Sequence, residues 1–380
     1  MQRMNWDEVC ARRLERHALT VPSKEARPSD IVAAMAGVHA QVLTAAELGI
    51  AQRIEGATRV DVRKALWEDR SLVKTHGPRG TVHVLPARDL GMWIGALTSL
   101  PPAGQSAPGL RMTPEQTDEV VEAIGDALRD AELTIDELDD AVRVRTGPWA
   151  AEMVMPAFQG MWPRWRQALH EAGIRGVMCS APNRGRKVTY TNPHRWLPDL
   201  EPMDAAEALP RLVHQYLNAY GPATPKRFAH WLNAPVTWAN EVFASMAGEL
   251  EQVDVEGSVE WVTAGDTAVP SDPPRGVRLL PYFDTYAYRV GNQPPQILYP
   301  GEAADRVLPA NFQVLLVDGV VAGLWHQRRS GRRLTVTVEP LVTLSPGQLA
   351  DLDAQVERVG EILEAEPEMT IGKVTVGGHA

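Results

Sequence analysis

Apolar residues recur at helical spacing through residues 30–55. Within that run, "AGVHAQVLTA" (36–45) has the small apolar residues of a buried helix. "RVDVRKALWED" (59–69) predicts a short helix, and "RGTVHVLP" (79–86) alternates like a strand. "PARDLGMWIGALTSL" resumes a helix with Pro86 near its start, and a linker, "PPAGQSAPG" (101–109), follows. The N-terminal "MQRMNWDEVCARRLERHALT" reads as an amphipathic helix.

From Thr113 the pattern is helical again. "TPEQ" supplies an N-cap Thr, Pro at N1 and Gln three residues on, for a helix over about 114–130. Thr134 and Glu137 form a capping box for a second helix. A third helix is expected over about 152–173, and "GVMCSA" with "KVTYTN" makes a strand pair around "PNRGR". The order recurs after 201: "MDAAEALPRLVHQYLNAYG", "ATPKRFAHWLN" and "TWANEVFASMAGEL" as helices, then "LEQVDVEG" with "VEWVTAGD" as strands. Three helices and a hairpin is the order of a winged-helix unit. From about 276 strands dominate, with Asp318-Gly319 and "RSGRR" as tight turns and a closing helix at about 346–364. The expected fold is α+β and mostly helical. It places an N-terminal helical or winged-helix unit at 1–100, further winged-helix units at 110–200 and 201–270, and a β-rich domain at 276–380. Trp162, Trp165, Trp231, Trp238 and Trp325 have spacing suited to core packing.

Composition narrows the class. The chain has 380 residues, 44% apolar and 23% charged, enough for two or three cores. It lacks a run of about 18 apolar residues and a signal-peptide h-region, so no membrane association is expected. Cys10 and Cys179 sit in no metal-like spacing, which points to a reducing compartment, the cytoplasm, and to no metal site. A net charge of −10 argues against a uniformly basic nucleic-acid binder but leaves room for a local basic face. Basic residues gather in "RWRQALHEAGIRG", "NRGRK" (Arg184, Arg186, Lys187) and "HQRRSGRRL" (Arg328, Arg329, Arg332, Arg333), while acid gathers in 115–140 and 351–368.

The oddity is chemical. His39 and Gln41 flank Ala40 in an otherwise apolar stretch. Two such groups can hold one water; they can equally be satisfied by main-chain hydrogen bonds, as most buried polar groups are.

"HAQ", "KTHGPRGTVHVLPARD", "LLPYFDTYAYRVG" and "VDGVVAGLWHQRRSGRRLTVTVEPL" together resemble the AlkZ-like DNA glycosylases, of the winged-helix DNA-binding-domain family that also includes the YcaQ-like enzymes. The resemblance spans about residues 10–365 and is strongest in 70–90 and 278–340. It implies a C-shaped, DNA-embracing scaffold that works without a tight base pocket. It also implies an active-site motif of Gln or His, an apolar residue, then Asp or Gln. His39-Ala40-Gln41 fits, with His39 in place of the more familiar Gln. The implied activity is monofunctional: hydrolysis at N7-alkylated, bulky guanine adducts in double-stranded DNA, by a monomer without cofactor or metal, in repair or in self-resistance to DNA-alkylating natural products. N7 alkylation makes guanine a cationic leaving group, so positioning a water matters more than acid assistance.

Other candidates have two readings each. Lys74, His76, Arg79 and Thr81 either touch phosphates near the site or brace a polar strand edge. Asp284 either orients His39 or holds the β-domain to the first unit, the favoured role; Tyr286 lies in the same segment. The Arg328–Arg333 hairpin tip is placed to meet a groove or phosphates. A non-catalytic winged-helix regulator, or a protein sequestering the toxic small molecule, are the competing functions.

Overall fold

A computed structural model describes residues 1–101, 111–157, 160–288, 290 and 294–375. It is α+β, and the chain divides into two units: Met1–Ala65 with Val213–Ala380, and Leu66–Leu212.

The first unit is built on a five-stranded sheet in the order Val277–Leu280, Gln313–Val317, Val320–Ser330, Arg333–Pro340, Glu366–Ile371. The first four are antiparallel neighbours; the last runs parallel to Arg333–Pro340. Asp318 and Gly319 both have positive φ (50° and 86°), the conformation that lets a two-residue turn follow the strand twist. One core packs Leu14, Leu280, Tyr286, Leu298, Leu316 and Leu324. The closing helix Pro346–Leu363 is capped by Ser345, which accepts from the Gln348 N–H.

A smaller sheet ties the chain's beginning to its middle. Gln2–Met4 pairs in parallel with Leu250–Val255, which pairs with Ser258–Thr263. The amphipathic helix Trp6–Arg16 follows, with a complete capping box from Asn5 and Glu8. Met4, Trp6, Val9, Val253, Val255 and Val262 bury each other. Arg13 is also buried, and its guanidinium donates to the main-chain oxygens of Tyr220, Gly221 and Pro222.

The second unit contains the hairpin Leu72–His76/Val82–Pro86 and the helices Leu90–Thr98, Pro114–Leu128 and Ile135–Thr146. Both expected capping boxes form, Thr113 with Gln116 and Thr134 with Glu137. The strands Cys179–Arg184 and Lys187–Thr191 pair antiparallel. Val120, Ile124, Leu138, Val142 and Trp165 form its core.

Three local expectations fail. The helix over 152–173 is instead a strand pair, Met153–Ala157 with Gly160–Pro163, a 3-10 turn Arg164–Ala168 and a short helix Leu169–Ile174. Pro156 and Pro163 have no N–H to donate, and Gly160 has φ 130°, so a continuous helix is disallowed. Trp162 is consequently 46% exposed, not core, although Trp165, Trp231 and Trp325 are buried; Trp238 is half-buried. The run 30–55 is broken: helix Pro28–Ala34 ends at left-handed Ala36 and Gly37, Val38–His39 is extended, and a new helix starts at Leu43. The strand foreseen at 79–86 begins at Val82. The linker 101–109 lies outside the described residues apart from Pro101.

Candidate active site

His39 is held by shape. The backbone turns through positive φ at Ala36 (52°) and Gly37 (84°), then extends, and the imidazole is left 8% exposed. Its ring stands 4.3 Å from that of Phe283 and 6.0 Å from that of Tyr288. Phe283 itself has φ 59°, an uncommon conformation for an aromatic residue. Such outliers persist only where the surroundings over-determine them.

Gln41 lies at the other end of the motif. Ala40 is buried, but Gln41 is exposed, and its amide makes no hydrogen bond among the described residues. The chain then enters the helix Leu43–Ala51.

What fixes Phe283 against His39 is a buried ion pair. Asp284 accepts two hydrogen bonds from Arg53, Nη1 to Oδ2 at 2.9 Å and Nη2 to Oδ1 at 2.8 Å. Both side chains are 0% exposed. Arg53 Nη1 also donates to the Gly49 carbonyl at 2.5 Å, so the guanidinium bonds helix and carboxylate together. Gly49 leaves room for the carboxylate: a Cβ there would stand 3.3 Å from Asp284 Oδ2, close enough that the pair would have to shift by a few tenths of an ångström. The Tyr286 N–H donates to Asp284 Oδ1 at 3.0 Å, and the Tyr286 hydroxyl donates to the Gly319 carbonyl at 2.7 Å. Burial raises the Tyr286 phenol well above its ordinary pKa. His17, edge-on to Tyr286, donates from Nε2 to the Ala219 carbonyl, and burial beside Arg53 pushes it down to about 3.

The hairpin arginines divide by strand alternation. Arg329 and Leu334 pair across the strands and face one side; Arg328, opposite Thr335, and Arg333, opposite Ser330, face the other. Arg329 donates to the carbonyls of Leu363 and Glu364 at the end of the helix Pro346–Leu363, where its charge complements the helix dipole. Arg332 pairs with Glu366 at 3.4 Å. Arg328 and Arg333 are exposed and make no ion pair among the described residues.

The second unit holds the remaining candidates. Lys74 and His76 lie on Leu72–His76, and Arg79 sits at φ 61° in the turn Pro78–Gly80. The Thr81 hydroxyl donates to the Pro78 carbonyl at 3.1 Å. His76 packs edge-on against His170, 5.8 Å away, and is driven down to about 4 by burial and by the charges of His170 and Lys74. Gly173 makes room for it, since a Cβ there would meet the ring at 2.5 Å. Arg184 pairs with Glu137 and Lys187 with Asp136 at 2.8 Å. Arg186 is exposed and makes no ion pair among the described residues.

Arg53, Phe283 and Tyr288 were not anticipated. Arg53 carried a signal: with Glu47 it is a charge in an apolar run, and a charge that folds inward needs a partner. Glu47, fully buried, is met by Arg63 at 2.7 Å. Among the described residues no group of three His, Cys, Asp or Glu is placed to hold a metal ion, and no helix is long and apolar enough to cross a membrane.

The sequence matches the family described as DNA glycosylase AlkZ-like over residues 32–362. A relative, the interstrand DNA cross-link repair glycosylase of Streptomyces sahachiroi, is 33% identical over 338 residues, covering 85% of this chain and 88% of that protein. Among solved structures, the Streptomyces sahachiroi DNA glycosylase AlkZ superposes with a TM-score of 0.78 at 29% identity, covering 98% of this chain and 100% of the other.

Proposed function

The chain belongs to the AlkZ-like DNA glycosylase family and is a DNA glycosylase of DNA repair, and from that premise we propose that it is a monofunctional enzyme hydrolysing the N-glycosidic bond of N7-alkylguanine in duplex DNA. The substrates are bulky adducts made by DNA-alkylating natural products, and crosslinks are unhooked by release of one base at a time. The biological role is repair or self-resistance.

One observation carries the reading: the exposed, uncommitted amide of Gln41 stands two residues from a His39 ring lodged against Phe283 and Tyr288. A carboxamide is a poor base, but its carbonyl oxygen orients a water. The C1′–N9 bond breaks, its electron pair passes to N9, and the cationic base leaves neutral. The water oxygen then bonds to the oxocarbenium-like C1′ and gives up a proton, leaving an abasic site. Since the departing base supplies the driving force, Gln41 and His39 act by holding the water on line, an effect worth several kcal/mol of barrier. In this assignment the Arg53–Asp284 pair is a positioning element: it sets Phe283, and Phe283 sets His39.

The finer organisation is part of the same proposal. The segments 1–100, 110–200, 201–270 and 276–380 correspond to winged-helix units and a β-rich domain forming a concave, C-shaped scaffold. The enzyme works as a cytoplasmic monomer without metal or cofactor. Lys74, His76, Arg79, Thr81, Arg186, Arg328 and Arg333 approach the DNA. Arg184, Lys187, Arg329 and Arg332 hold partners in the structure and exchange them to do so, as the Thr81 hydroxyl exchanges the Pro78 carbonyl.

The test is base release from duplex DNA carrying N7-alkylguanine, read as alkali-labile abasic sites. Gln41→Ala abolishes release and keeps DNA binding nearly intact. Cleavage by Gln41→Ala at the wild-type rate removes the assigned site; DNA binding without any release by the wild type makes the chain a binder.

A further inference from the structure

A cavity of about 300 Å³ adjoins the motif within the first unit. That is the lower end of the range for small-molecule sites. Val42, the residue after Gln41, lines one side. Tyr282, whose ring is 6.3 Å from that of Phe283, lines another. The cavity is therefore one residue along the chain from both the water-holding amide and the aromatic that seats His39.

Its lining is neutral in effect. Val42, Ala45, Leu334 and Leu363 supply apolar surface. The two cations present are already engaged: Arg59 with Glu364 at 2.8 Å, and Arg329 with the carbonyls of Leu363 and Gly331. An anion would have to displace these contacts.

The uncommitted buried polar groups of the lining are two amides and the His326 imidazole, whose Nδ1 is likewise without a hydrogen-bond partner among the described residues. Gln313 pairs across the sheet with Trp325, and Gln327 lies two residues beyond Trp325, so both side chains leave the same face of adjoining strands. Gln313 is 1% exposed. Its Nε2 donor and the Oε1 acceptor of Gln327 are buried and have no hydrogen-bond partner among the described residues. A buried donor and a buried acceptor left unmet are unfavourable. Because the terminal torsion of a glutamine is soft, either amide can turn toward a bound group.

The geometry points to a site for a neutral planar heterocycle with a lactam edge, its carbonyl accepting from Gln313 and its adjacent N–H donating to Gln327. This rests on the glycosylase reading above, which supplies such a ligand. The O6 and N1–H of an N7-alkylguanine form a lactam, and the base becomes neutral when the C1′–N9 electron pair passes to N9. A cavity with neutral amides then takes the lactam edge of the base after its release, and the cleavage step itself uses no base pocket.

Calorimetric titration of the full chain with free 7-methylguanine tests this. Saturable binding is expected, at least about tenfold weaker for 1,7-dimethylguanine, which lacks the N1–H, and for Gln327→Leu. Gln327 is half-buried, so its replacement leaves the core in place, and circular dichroism confirms the fold. Added 7-methylguanine also inhibits base release by the wild type and loses that effect on Gln327→Leu. No saturable binding, or equal binding of the two methylguanines, overturns the proposal. Base release that depends on Gln41 would still stand, so the two failures are distinguishable.

Discussion

Asp284 and Arg53 are joined by two hydrogen bonds of 2.8 and 2.9 Å with neither side chain reaching solvent. They are 231 positions apart in the chain. The pair links the end of the helix that follows Gln41 to the segment carrying Phe283 and Tyr288. Leaving one member of a buried pair alone strands its charge, at about 3–5 kcal/mol. Asp284→Ala is accordingly expected to lower the unfolding free energy by that amount in a denaturant titration. The double change Asp284→Leu with Arg53→Met recovers most of it, because no charge is stranded. A loss under about 1 kcal/mol for Asp284→Ala would contradict this account.

The role of His39 separates by substitution. If the imidazole only holds a water, His39→Gln keeps base release within about tenfold of wild type, whereas His39→Ala loses it. A proton-transfer role is worth about 10²–10⁴ in rate. Single-turnover rates showing His39→Gln as impaired as His39→Ala would establish that role instead.

The hairpin arginines are not equivalent. Each phosphate contact contributes about one unit to the slope of log K against log salt. Arg328→Ala and Arg333→Ala should each flatten that slope by about one and weaken binding uniformly across sequences. Arg332→Ala and Lys187→Ala, whose cations are already paired, should change it by less. Fluorescence anisotropy over a salt series reads both.

His76 makes stability depend on pH in one direction. Its folded pKa, about 4, lies below the ordinary value of 6.5. Between those values the unfolded chain binds a proton that the folded one refuses, so this stabilisation is complete above about pH 6.5 and fades as pH falls toward 4. The advantage of wild type over His76→Asn should shrink by roughly 3 kcal/mol across that window, measured by unfolding at a series of pH values. An advantage unchanged with pH would mean that His76 charges freely in the fold.

Much of the fold was legible because its signals are local. The Thr113 and Thr134 caps, the Asp318-Gly319 turn and the hairpin after Arg328 each rest on residues within a few positions of one another. The segment 152–173 carries two tryptophans at helical spacing, Trp162 and Trp165, but also Pro156, Pro163 and Gly160. The prolines decide, since a missing N–H cannot be regained by packing.

The motif was legible as two polar residues in an apolar run. Their surroundings were not, because Arg53 finds Asp284, His39 finds Phe283, and Gln313 and Gln327 come to share a face only when segments far apart in sequence are brought together. The amino-acid order by itself settled most of the secondary elements, two helix caps, the tight turns, and where the chemistry-bearing side chains fall along the chain. Which of them are buried, paired or left open was decided by tertiary structure alone, since desolvation and ion pairing act between neighbours in space.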